Sequence, residues 1–137
     1  MAQPWMSPIT DLSELLRSMQ PVLHPGVHVF CLVHDAGALA RLAPVATLRE
    51  AEGTTVIVEE TVALHYTLSP LFRAAWITLR VNSDLAAVGL TAAVSRALAD
   101  AGISCNVVAA AHHDHLFVPA ERGSDAIDVL QCLQLGS

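Results

Sequence analysis

Trp76-Ile77-Thr78-Leu79-Arg80-Val81 alternates with a period of two, placing Ile77, Leu79 and Val81 on one face and Trp76, Thr78 and Arg80 on the other, as in a strand inside a sheet. The stretch from here to Pro119 decides the fold. Asn82-Ser83-Asp84 is turn chemistry. Leu90, Val94, Ala97, Leu98 and Ala101 then recur at helical spacing, and Gly102 stands where a left-handed glycine ends a helix. Ile103 to Ala109 alternates as a second strand, His112-His113-Asp114-His115 turns the chain, and Leu116-Phe117-Val118 is a third strand ended by Pro119. Ser124-Asp125 caps a last helix with Ala126, Val129, Leu130 and Leu133 along one side. The order β-α-β-β-α is most of a ferredoxin-like unit, a sheet with helices on one face, and lacks only its closing strand.

The first half is patterned less sharply. Asp11 followed by Glu14 signals a helix start, and Leu12, Leu15, Leu16 and Met19 share one face of a short helix that Pro21 stops. After the turn His24-Pro25-Gly26, Val27 to Val33 is apolar on both alternating faces, as in a strand covered on both sides. Pro44 to Glu50 and Thr54 to Glu60 are strands joined at Glu52-Gly53, and Thr61 to Leu68 is a short helix. This reads α-β-β-β-α, with no clear opening strand. Two incomplete units of related order imply that each completes the other's sheet, within one chain or between chains, since an open apolar edge invites aggregation.

Composition excludes several function classes. The chain has 137 residues, 53% of them hydrophobic, enough to bury a core, and a net charge of −6. All seven basic residues are arginines, scattered singly from Arg17 to Arg122, so there is no basic patch for nucleic acid. Mean hydropathy is +0.50, yet charges interrupt every apolar run before it reaches the length of a membrane span, and the first residues have no signal-peptide pattern. A cytoplasmic protein that contacts neither membrane nor nucleic acid is expected. Cys31, Cys105 and Cys132 are odd in number, far apart and set in apolar surroundings, as suits reduced buried thiols. Phosphate loops, dinucleotide fingerprints, nucleophile elbows and zinc-protease helices are absent from the sequence, and no enzyme activity is expected.

The segments Trp76-Ile77-Thr78-Leu79, Ala87-Val88-Gly89-Leu90-Thr91-Ala92-Ala93-Val94-Ser95, Gly102-Ile103-Ser104-Cys105-Asn106-Val107-Val108 and His113-Asp114-His115-Leu116-Phe117-Val118-Pro119 together resemble the ACT-domain family. Small bacterial proteins with two ACT units are the specific likeness. Pro21, Val29-Phe30-Cys31 and Ala46-Thr47-Leu48-Arg49-Glu50 resemble the leading unit of the same proteins. The resemblance implies an α+β fold of two ferredoxin-like units with antiparallel sheets and helices on one face, divided as 1–70 and 71–137. It also implies a homodimeric regulatory or sensor module binding a small molecule, an amino acid above all, beside the loop between first strand and first helix. Mapped here, the ligand-binding residues are Asn82, Ser83, Asp84, Val88 and Gly89, with Asn106 on the following strand. Where related sequences carry a glycine and aromatics before the histidine turn, this chain has Ala109-Ala110-Ala111-His112. A scaffold that keeps the architecture and has lost the pocket is therefore the alternative.

The residues themselves give that loop a plausible chemistry. A helix start offers free N–H groups and the positive end of the helix dipole to a carboxylate, while Asp84 could meet an ammonium. Asn, Ser and Asp are also what any strand-to-helix turn uses. On this reading Gly89→Val fills the carboxylate's space, abolishes binding and leaves the fold largely intact, at small cost to the helix. The run His112 to His115 contains competent metal ligands, but adjacent residues point different ways and a closed site needs a distant partner such as His24, His28, His34 or His65. A polar hairpin tip is the simpler account, and neither metal nor cofactor is expected.

Overall fold

Asp11 accepts a hydrogen bond from the Glu14 amide at 3.0 Å and opens α1, Leu12–Ser18, in the computed structural model, which describes residues 11–81 and 87–136. The chain continues through β1 Gln20–Leu23, β2 His28–Val33, α2 Leu39–Leu42, β3 Ala46–Glu50, β4 Gly53–Glu59 and α3 Glu60–His65. It then forms β5 Phe72–Arg80, α4 Leu90–Asp100, β6 Asn106–Ala109, β7 Asp114–Pro119 and α5 Gly123–Leu135. The strands form one sheet in the order β3-β4-β2-β5-β7-β6, with β1 also paired to β5, and all these pairings are antiparallel.

The long strand β5 belongs to two ferredoxin-like arrangements. β7 occupies one edge of it from Ala74 to Leu79. On the other edge, Phe72 to Ala74 pair with β2, and Ile77 to Arg80 pair with β1. The start of β5 therefore closes the sheet of β2, β3 and β4. β1, from the beginning of the chain, supplies the closing strand that β5, β6 and β7 lack. Sequence patterning missed β1 because Gln20, Pro21, Val22 and Leu23 are largely exposed and show no clean alternation. The exchange of strands is internal to one chain.

The two faces of β5 differ as its alternation predicts. Ile77 and Leu79, at 0% and 1% exposure, join Leu15, Leu16, Leu90, Val94, Leu98 and Leu130 in the core beneath α1, α4 and α5. Val29, Cys31, Val56 and Val58 form a second core with Leu42 and Ala63 of α2 and α3. On the opposite face Phe117, Ile57 and Ala74 are buried without a helix, packed with Phe30, Phe72 and Trp76. Rings of Phe30 and Phe117 meet edge to face with centroids 5.4 Å apart.

Two local expectations need adjustment, and one short helix was not expected. β6 begins at Asn106 and not at Ile103, because the end of α4 claims the intervening residues: Gly102 takes φ +74°, its N–H bonds to Ala99, and Ile103 N–H bonds to Leu98 O at 2.9 Å. α5 begins at Gly123 after a 3₁₀ turn, so Ser124 and Asp125 sit in its first turn, where Asp125 pairs with Arg122 at 2.9 Å. α2, four residues long, carries too few turns to show a helical period.

Candidate functional site

The expected loop leads into α4, whose N-cap is Gly89 with φ +106° and no side-chain capping bond. Ala93 N–H bonds to Gly89 O at 2.9 Å, so the amides of the preceding helical turn lack partners within the helix. Asn82, Ser83 and Asp84 lie outside the described residues. Val88 is 84% exposed. Gly89 does not border open space: a Cβ there would sit 3.1 Å from Leu12 Cδ2 on α1. The expectation that Gly89→Val would cost the helix little is thus corrected, because a β-branched residue would be strained at that φ and would press on Leu12 of α1.

Strand register shows what lies at the end of β5. Leu79, Asp114 and Ala109 are level across β5, β7 and β6, at the end of the sheet where β5 leads toward α4. The hairpin tip reaches the same end, with His113 Nδ1 3.3 Å from Val81 O and Ala110 N–H bonded to His113 O. Asp114 is half-buried and its carboxyl lies above the usual range through burial, against the opposing fields of His115 and His113. Asn106 is elsewhere. It is level with Phe117 and Trp76, three positions along β6 from that end, and its side-chain amide donates to Phe117 O at 3.4 Å. The structure therefore brings the hairpin tip to Val81 at the end of β5, sets Gly89 against Leu12 of α1, and places Asn106 three positions along β6 from the tip.

A second cluster occupies the face without helices. β1 ends beside Trp76, and His24 stacks on its indole with centroids 3.6 Å apart and planes 13° from parallel. His28, only 4% exposed, meets the same ring edge-on at 5.1 Å, and its Nδ1 is buried without a hydrogen-bond partner. Trp76 Nε1–H donates to His115 Nδ1 at 3.1 Å. The Thr78 hydroxyl bridges the two sides, 3.0 Å from His115 Nδ1 and 2.7 Å from His24 Nε2. Because indole can only donate, His115 Nδ1 is an acceptor and the ring's proton resides on Nε2.

All three imidazoles are held toward their neutral forms. Burial lowers the pKa of His24, with His28 and His115 adding repulsion; burial lowers His28 against the pull of Glu59. Burial also lowers His115, assisted by His113 and opposed by Asp114. Burial raises the Cys105 thiol to about 11 and pushes Cys31 up too, so neither is poised as a nucleophile at neutral pH. Among the described residues, no group of three or more His, Cys, Asp or Glu could hold a metal ion. The sequence carried half of this cluster: alternation puts Trp76 with Thr78, and His115 with Phe117, but nothing in it joins His24 to Thr78 across 54 positions.

Beside the cluster lies a cleft of about 350 Å³. Its walls come from the start of β3 and from the end of β6, and its floor from Trp76, His115 and Phe117. β3 and β6 are the two ends of the strand order, so the sheet curls until its edges flank one concavity.

A family model described as ACT domain matches residues 7–75, and a second with the same description matches 72–132. They overlap at 72–75, the start of β5. No curated protein sequence matches the chain. Among solved structures, a Vibrio cholerae protein of unknown function, described as a possible transport protein, is 43% identical and covers 90% of this chain and 95% of its own, with a TM-score of 0.82. The ligand-free regulatory subunit of aspartate kinase from Thermus thermophilus is 10% identical, with 85% of this chain and 96% of that one covered and a TM-score of 0.62. Aspartokinase III of E. coli, in complex with aspartate and ADP, is 12% identical over 84% of this chain and 33% of that one, with a TM-score of 0.61. These last two likenesses are likenesses of fold. Among the described residues, no helix is long and apolar enough to cross a membrane.

Proposed function

The chain belongs to the ACT-domain family, and from that membership we propose that it is a non-catalytic sensor module that binds an amino acid at the start of α4. The observation that carries the reading is the start of this 11-residue helix, whose N-cap Gly89 has no side chain to cap it and whose first amides have no intrahelical acceptor and suit a carboxylate. Asp84 is the proposed partner of the ammonium, with Asn82 and Ser83 as neighbouring polar groups and Val88 on the rim. Asn106, far from this loop along β6, would act only through a ligand long enough to reach the other face. The proposed working form is a cytoplasmic homodimer, since among the described residues β3 and β6 end the strand order with one edge unpaired. A division into units at 70 and 71 remains part of this proposal, with β1 and α1 serving the second unit.

A thermal-shift screen against the twenty proteinogenic amino acids tests the reading. One of them is expected to stabilise the protein, by about 2.7 kcal/mol at 100 times its dissociation constant. Asp84→Ala should weaken that binding by about 1.5–3 kcal/mol, measured by calorimetry, because one charge-assisted contact is lost. No shift with any amino acid would favour the alternative of an interaction module without a ligand, for which the Leu12 side chain packed against Gly89 already speaks. Sedimentation at micromolar concentration tests the dimer, and a monomer there would refute it.

A further inference from the structure

The cleft between the sheet edges has a chemistry of its own, independent of the α4 loop. Among the described residues no arginine, aspartate or glutamate lines it, so a charged guest would lose its hydration without gaining a counter-charge. Its floor is aromatic: the half-buried Trp76 ring lies over the cleft, backed by the wholly buried Phe117, with planes 15° from parallel. Trp76 is already immobilised, by His24 on its face and by its N–H bond to His115, so little ordering is left for a guest to impose. The same bond leaves the His115 proton on Nε2, and among the described residues no acceptor meets that N–H. At about 350 Å³ the space lies at the small end of ligand pockets, which run roughly 300–1,000 Å³.

We propose that the concave face of the sheet is a binding site for a small, flat, uncharged molecule carrying a hydrogen-bond acceptor, its ring against Trp76 and its acceptor on the His115 Nε2–H. An amino-acid zwitterion is excluded from it by charge, so the site is distinct from the one at α4. Burial of His115 agrees with this, since it keeps the ring neutral and the donor proton in place near neutral pH.

Three probes of similar shape test the chemistry on the full chain: benzamide, which is neutral with a carbonyl acceptor; benzoate, its charged analogue; and toluene, which has no acceptor. Binding is read from the Trp76 indole N–H resonance in proton–nitrogen correlation spectra, identified with Trp76→Phe. Benzamide is expected to shift it saturably with a dissociation constant of ~1–10 mM, the range for so small a fragment. Benzoate and toluene should bind at least about tenfold more weakly, one missing favourable contact or one desolvated charge each. Ala46→Phe fills the cleft from β3 and Ala110→Phe from the opposite wall; each should abolish the benzamide shift while the amide spectrum stays dispersed, and either suffices if the other misfolds. No saturable shift with benzamide, equal affinity for benzoate, or undiminished binding in a folded cleft-filling variant would overturn the proposal.

Discussion

Ile77 and Thr78 are neighbours on β5, yet they belong to different physical worlds. Ile77 is wholly buried under α1, α4 and α5 in an apolar core, whereas Thr78, also buried, turns its hydroxyl toward two imidazoles on the face without helices. The helix face rests on contact area, which no proton can alter. The other face rests on hydrogen bonds among groups that titrate near neutrality, so it ties stability to pH. One strand thus separates an apolar core from a face whose polar groups titrate.

The largest expected effect is on the helix face. Ile77→Ala should cost about 2–5 kcal/mol by lost transfer energy and a residual cavity, measured by denaturant unfolding. The loss should be the same at pH 5.5 and 7.5; a marked difference would break the distinction between the faces. Gly89→Val acts on the same side, through Leu12, and should cost about 1–3 kcal/mol from backbone strain alone, again without pH dependence. A smaller change would mean that the start of α4 relaxes freely, which would sharpen the case for a loop that adapts to a ligand.

Effects on the opposite face should be smaller and pH-linked. Thr78→Val keeps the shape but removes the bridge between His24 and His115, at a cost of about 1 kcal/mol at neutral pH. For the wild type, stability should fall on acidification below 6.5, the ordinary value for these histidines. The sign follows from linkage: the folded-state values of His24, His28 and His115 are lowered, so the unfolded chain takes up protons first and gains from acid. Above 6.5 the contribution is complete; below it, it declines until the folded imidazoles also protonate. The smallest change is expected for His28→Phe. It removes a buried nitrogen that has no partner, so stability at pH 7.5 should change by less than about 1 kcal/mol while the acid slope becomes shallower. An unchanged slope would remove His28 from the acid response.

The candidate regions were legible to different degrees for related reasons. The α4 loop could be located because an alternating strand, turn residues and a helical stripe ended by Gly102 are local signals. The role of Gly89 was misjudged there, since its positive φ and the approach of Leu12 depend on α1, which arrives from 77 residues earlier in the chain. The imidazole cluster was visible only as scattered histidines. His24 and His28 could be listed as distant partners for His115, but their actual partners, Trp76 and Thr78, follow from strand pairing.

By itself the sequence determined the order of every helix but α2 and of most strands, the two-faced character of β5, the left-handed end of α4 and the family. These depend on periods of two and 3.6 residues and on glycine's freedom, all carried by neighbours in the chain. Only the tertiary structure decided that β1 completes the second unit, that β5 closes one sheet while opening another, and that the edges β3 and β6 flank a cleft. Backbone hydrogen bonds between strands are alike whatever the side chains, so alternation shows which face a residue takes and leaves its neighbouring strand to the packing of the whole chain.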